Sequence, residues 1–181
     1  NRDYFLQFLG GFQSIVIVAR VCLTSNLPKN SSRVDSNKIA FIPLPDWLGP
    51  ISFMKNYYMT LSILKKELPE SAAYLLTMPS IISITLYKFL RKQPYAVHVV
   101  GDPEQSFSGR TSLFFYFSKI FFTFWQKKIC DRSVVAIYVA ESLKNLYPSQ
   151  AKTGSIVVSD IIINRKDILK RIKRFNFKLK Q

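Results

Sequence analysis

The sequence predicts an α/β domain built on a mainly parallel sheet with helices on both faces. Three observations carry that prediction. Short apolar runs rich in β-branched residues recur without polar alternation, as buried parallel strands do. Segments with apolar residues at spacings of three and four alternate with those runs. The chain has 181 residues, enough for one domain with a sizeable core.

Taken in order, Asp3 is placed to cap a helix over residues 4–12, which Gly10-Gly11 weakens at its end. Residues 14–20 form an uninterrupted apolar strand, and residues 23–37, with Pro28 and four serines, read as a loop. Residues 38–44 are a second strand, pushed toward an edge by Pro43. After a turn over residues 45–50, apolar residues at 51, 54, 57, 58, 61, 64 and 68 define one helical face. Lys65 and Lys66 suit the C-terminal dipole of that helix, and Pro69 stops it.

Residues 72–78 are strand-like, and Pro79-Ser80 opens a helix reaching Lys92, with proline at the tolerated first position. Residues 95–100 are a strand that Gly101-Asp102-Pro103 breaks, followed by a loop over residues 104–109. Residues 111–130 form a helix with eight aromatics, Phe114, Phe115, Tyr116, Phe117, Phe121, Phe122, Phe124 and Trp125. At about 100° per residue its polar side chains, Ser112, Lys119, Thr123 and Gln126, fall in one narrow stripe. A strand over residues 133–139, a helix over 141–147 ended by Pro148 and a strand over 154–158 complete the alternation.

Charge narrows the partners. With 26 Lys and Arg against 11 Asp and Glu, the net charge is +15, which points to a polyanion or an acidic surface. Residues 165–181 hold eight basic residues against Asp167, a net +7, and read as a basic tail or linker. Two cysteines, Cys22 and Cys130, and a single histidine fit no metal spacing, so no metal ligand set is expected. The cysteine usage suggests a reducing compartment. Nucleic acid is disfavoured, because no helix-turn-helix, RRM or KH signature accompanies the charge. G-x-G-x-x-G, the P-loop and the G-x-S-x-G elbow are all absent.

The candidate site is the C-terminal end of the 95–100 strand, since open α/β sheets bind ligands outside those edges. Gly101-Asp102-Pro103 also suits a plain turn. His98 shares a face with Val100 and Asp102 by period two, as a hydrogen-bonded core or cleft-wall histidine. The aromatic helix has two readings. One is a helix buried between the sheet and a neighbour. The other is a helix partly inserted in a membrane interface, contacting it through Phe114, Phe121 and Trp125, with Lys127, Lys128, Arg171, Lys173 and Arg174 meeting phosphates.

Five segments carry a resemblance: a strand ending in Arg20-Val21, Met78-Pro79-Ser80 joining a strand to a helix, Val99-Val100-Gly101-Asp102-Pro103, Tyr138-Val139-Ala140-Glu141-Ser142 with Leu143, and Tyr147-Pro148. In this order they resemble the N-terminal, acceptor-side half of bacterial glycosyltransferases of GT-B architecture, family 4 type, which pair two facing Rossmann-like domains. The resemblance covers residues 3–163, and residues 1–163 are read as one Rossmann-like domain whose first strand would precede Asn1, with residues 164–181 a basic tail or linker running toward a second domain.

By this resemblance, the complete enzyme transfers a sugar from a UDP- or GDP-sugar to an acceptor with retention and without a required metal. The donor would bind the second domain, whose Glu-x7-Glu signature this chain lacks, so residues 1–181 alone are expected to be inactive. The resemblance places Arg20, Pro79, Ser80, His98, Gly101, Asp102, Glu141 and Ser142 along the acceptor cleft rim. There Asp102 would meet an acceptor hydroxyl and Arg20 a phosphate. The implied acceptor is a lipid-linked or cell-surface polysaccharide precursor, used at the anionic inner face of the plasma membrane by a cytoplasmic, peripheral protein. The alternative reading is a non-enzymatic membrane-surface or interaction domain that works through the aromatic helix and basic tail.

Overall fold

The β-branched runs become parallel strands in the computed structural model of the chain, which describes residues 2–26, 31, 33–70, 73–90, 93–109, 112–151 and 154–159. The chain begins with α1 (Arg2–Leu6) and a 3-10 turn (Gln7–Gly10), then β1 (Ile15–Arg20), β2 (Ile39–Leu44) and α2 (Gly49–Glu67). It continues through β3 (Tyr74–Met78), α3 (Ile81–Phe89), β4 (Tyr95–Val99) and α4 (Pro103–Ser106). The last elements are α5 (Leu113–Asp131), β5 (Val135–Tyr138), α6 (Glu141–Leu146) and β6 (Ser155–Val157). The architecture is α/β and Rossmann-like, with parallel sheets flanked by helices. The basic tail, including Arg171, Lys173 and Arg174, lies outside the described residues.

The elements divide into two compact units, the first holding α1, β1, β2, α2 and α3 and the second holding the rest. In the first, β1 and β2 pair in parallel from Ile15 opposite Ile39 to Arg20 opposite Leu44. Pro43 sits in this ladder opposite Ala19, which an edge strand tolerates because its N–H side needs no second partner. Asp3 lies inside α1 rather than at its cap.

The packing face of α2 differs from the predicted one. Ile51, Met54 and Tyr58 are 72%, 71% and 81% exposed, whereas Thr60 and Leu64 are fully buried. Aromatic packing explains the rotation. Trp47, itself buried, stacks edge-on against Phe53 at 5.1 Å, and Phe53 against Tyr57 at 5.7 Å. The contact row therefore runs Phe53, Tyr57, Thr60, Leu64. Thr60 adds no polar cost there, because its hydroxyl donates to the Asn56 carbonyl one turn back.

In the second unit four parallel strands run in the order β3-β4-β5-β6. Leu76, Met78, Val97, Val99, Ala136 and Tyr138 are all essentially inaccessible and form the centre of this sheet. β4, paired on both sides, is the most buried strand, as its unalternating sequence implies. Pro79 precedes the helix boundary instead of opening the helix. Ser80 is the N-cap of α3 and accepts from the Ser83 N–H at 3.5 Å. Part of the predicted 104–109 loop folds as the single turn α4.

Helix α5 is buried along one side only, so it departs from the reading of a helix buried between the sheet and a neighbour. Ile129, Cys130 and Gln126 are buried, while Leu113, Phe117 and Phe124 are 75%, 65% and 56% exposed. Its narrow polar stripe, through Lys119, Thr123 and Gln126, is thus the less exposed side, and much of its aromatic surface faces outward. The sense of this helix makes a prediction. Ile129→Ala should lower the unfolding free energy by about 2–5 kcal/mol, and Phe117→Ala should stay within about 0.5 kcal/mol, both measured by urea denaturation. Equal losses at the two positions would place the aromatic side inward.

Candidate functional site

The C-terminal ends of β3, β4 and β5 come side by side in the second unit, and the ladder extends past each strand. The Val100 N–H donates to the Met78 carbonyl at 2.9 Å, and the Val139 N–H to the Val99 carbonyl at 3.2 Å. This edge presents Pro79, then Gly101-Asp102, then Ala140 leading into Glu141 and Ser142. His98 lies one residue inside it, buried in β4 opposite Thr77 and Ile137. Six of the eight predicted rim residues therefore belong to this unit. Arg20 and Ser80 belong to the first unit.

Asp102 is 7% exposed, and a carboxylate so buried needs compensating donors. It has them. As N-cap of α4 its Oδ1 accepts from the Glu104 N–H at 2.9 Å, with Pro103 at the tolerated N1 position. The same oxygen accepts from the Tyr147 hydroxyl at 2.6 Å. Its main-chain carbonyl accepts from the Ser106 hydroxyl at 2.9 Å. Asp102 is therefore first a cap and a tie between the β4 end and the end of α6.

Tyr147 is itself anchored. Its carbonyl accepts from the Tyr138 hydroxyl at 2.6 Å, so β5, α6 and the β4–α4 turn share one buried chain of hydrogen bonds. Burial first, and then the hydrogen bond to Asp102 and its charge, raise the Tyr147 phenol well above the ordinary tyrosine range. Burial, with a smaller contribution from Cys130, pushes Tyr138 up to about 12, and burial alone pushes the Cys130 thiol up to about 12.

Helix α5 supports the same turn. Gln126, fully buried, donates through Nε2 to the Gly101 carbonyl at 3.0 Å, and Thr123 borders the Tyr147 hydroxyl. Gln126 Oε1 is buried without a hydrogen-bond partner among the described residues. Lys119 lies 3.6 Å from Glu104 on the same stripe. Gly101 has no steric obligation to be glycine, because an added Cβ would meet Pro79 Cδ at 3.5 Å, an ordinary contact.

The exposed part of the edge is Glu141 and Ser142 at the start of α6, where Glu141 stands 3.6 Å from Lys144. In the first unit Arg20 donates to the Trp47 carbonyl at 2.8 Å and lies 5.4 Å over the Trp47 ring, which fastens the loop before α2. A shallow groove of about 430 Å³ between β2 and α2 holds none of the strand-end residues. Among the described residues no cluster of His, Cys, Asp or Glu could hold a metal ion.

Of the residues read as membrane contacts, Phe114, Phe121 and Lys127 are exposed and Trp125 is half-buried. Lys128 Nζ lies 5.1 Å from the Trp125 ring and 5.6 Å from the Phe124 ring. No described helix is long and apolar enough to cross a membrane. Comparison with protein-family models, curated proteins and solved structures finds no match.

Sequence reasoning named Tyr138 and Tyr147 only within the resembling segments and gave neither a role at this edge. Gln126 was placed only in the polar stripe of α5, in register with Thr123 and Lys119.

Two predictions follow from the buried chain. Tyr147→Phe should cost about 1.5–3 kcal/mol at neutral pH, since it leaves a buried carboxylate one donor short. A loss near zero in urea unfolding would make the contact incidental. The second concerns alkaline pH. Cys130 and Tyr138 have folded pKa values above their unfolded ones, so their contribution is complete below about pH 9 and declines as pH rises to about 12. Each group sets a slope of about 1.4 kcal/mol per pH unit within its own window. Tyr138→Phe should flatten the decline between pH 10 and 12, whatever its effect at pH 7.

Proposed function

We propose that this chain is the acceptor-side part of a retaining glycosyltransferase. It would position a lipid-linked or cell-surface polysaccharide precursor for attack on a UDP- or GDP-sugar held by a second domain. The observation that carries the reading is the edge itself: three adjacent parallel strands end in Pro79, Gly101-Asp102 and Glu141-Ser142, the segments that carry the family resemblance. Ligands of open α/β sheets collect at such ends.

In this reading the division of labour follows exposure. Asp102, held by Tyr147 and the α4 cap, sets the shape of the edge. Glu141 and Ser142, exposed at its rim, meet acceptor hydroxyls directly. The acceptor oxygen forms the new bond to the sugar carbon on the face from which the nucleotide diphosphate departs, and the acceptor proton passes to the departing diphosphate oxygen. Residues 1–181 supply orientation of the acceptor. A second reading, a non-enzymatic surface or interaction domain, draws on the outward aromatic side of α5.

The test uses the complete gene product with labelled UDP- and GDP-hexoses and an extracted sugar–lipid fraction. Label should enter the lipid with retained configuration. Glu141→Ala should lower kcat/KM for the acceptor about tenfold, which is about 1.4 kcal/mol, and leave KM for the donor unchanged. Absence of transfer from every nucleotide-sugar sinks the proposal and favours the second reading.

A further inference from the structure

Among the described residues, nothing covers the outward side of α5. Leu113, Phe117, Ile120 and Phe124 follow one another at spacings of four, three and four, so they stack along one line of the helix. They are 75%, 65%, 47% and 56% exposed, and Phe114 and Phe121 widen the line on one flank at 47% and 41%. A contiguous apolar surface of this kind is what soluble surfaces avoid unless something covers it.

Its charge says what covers it. Between Leu113 and Phe124 the helix carries no acidic residue. Directly after the aromatic line come Lys127, exposed, and Lys128, whose ammonium lies over the Phe124 and Trp125 rings. Asp131 then closes the helix. The helix also has a polar side that is already used inward, where Gln126 holds the Gly101 carbonyl, so it cannot roll to hide its rings without breaking that bond. A second copy of the chain is a poor cover, because two chains of net +15 repel one another and α5 itself carries Lys119, Lys127 and Lys128 against Asp131. An anionic lipid surface neutralises that charge and offers an acyl boundary for the rings, with lysines reaching the phosphates.

We propose that the outward face of α5 is a peripheral docking surface that seats its rings in the interface of an anionic bilayer. The inference stands on the exposure and charge of one helix and does not depend on sugar transfer.

The experiment is flotation of residues 1–181 with vesicles of phosphatidylglycerol and phosphatidylcholine, and with phosphatidylcholine alone. The chain should float with the mixed vesicles and bind the neutral ones far less. The combined substitution Phe117→Ser, Ile120→Ser, Phe124→Ser should weaken partitioning about tenfold or more, with far-UV circular dichroism unchanged, because the basic residues remain and only the rings are lost. A parallel variant on the other exposed apolar line, Ile51→Ser, Met54→Ser, Tyr58→Ser on α2, should bind as the parent does.

Phe117→Trp supplies a reporter that keeps the surface apolar. Its emission should shift to the blue and be quenched by brominated acyl chains more than that of the parent chain. Four results would overturn the proposal: no flotation of the parent, undiminished binding by the α5 variant, no added quenching at position 117, or a dimer in sedimentation equilibrium that the α5 substitutions dissolve without any vesicle binding.

Discussion

The second unit depends on one buried hydrogen bond, from the Tyr147 hydroxyl to Asp102 Oδ1 at 2.6 Å. A carboxylate that is 7% exposed is costly unless donors surround it, and this donor reaches it from the far end of α6, 45 residues along the chain. The contact fixes where the β4 end lies relative to β5 and α6. Tyr138 locks it from the other side by donating to the Tyr147 carbonyl at 2.6 Å. Removing the Tyr147 hydroxyl leaves the buried carboxylate with the Glu104 N–H but one donor short, and a lost partner is the more expensive half of a buried hydrogen bond.

That polar cluster also accounts for the orientation of α5. The sequence leaves two readings open for the helix, buried between sheet and neighbour or set in a membrane interface. The Gly101 carbonyl takes a donor from α5, and Gln126 supplies it, while Thr123 lies beside Tyr147 with its Oγ1 buried and unpaired among the described residues. Apolar burial on the inward side comes from Ile129 and Cys130 and from Phe115 and Phe122, which pack against Phe107 at 6.1 and 5.8 Å. With Gln126 bonded inward, Leu113, Phe117, Ile120 and Phe124 are left outside.

Much of the fold was legible because it rests on short-range chemistry. Each strand is a short apolar run, and in the second sheet parallel pairing follows from the helices between the runs. Asp102-Pro103 was legible as a chain reversal, and it became a helix cap. The faces of α2 and α5 were not legible, since both helices are apolar over most of their circumference and periodicity ranks faces only when one is clearly polar. On α2 the choice was made by the ring of Trp47 against Phe53, a contact set by the preceding turn. At the candidate site, the positions of the strand ends could be read from the apolar runs and the residues that break them. The hydrogen bonds of Tyr147 and Tyr138 could not, because a tyrosine's long-range partner leaves no local pattern.

The two sides of α5 are mechanically one object. Its inward glutamine holds the Gly101 carbonyl, and its outward line carries Leu113, Phe117, Ile120 and Phe124. The helix is held against the β4 turn by that hydrogen bond and by the full burial of Ile129 and Cys130, which fixes its orientation to the sheet edge in this structure. Any surface that seats the rings therefore also sets the direction in which Asp102, Glu141 and Ser142 face. For an acceptor carried on a lipid, the same helix that shapes the edge would thus determine its height and tilt above the headgroups. That coupling gives a physical reason for spending aromatic side chains on the outside of a helix whose polar residues are needed within.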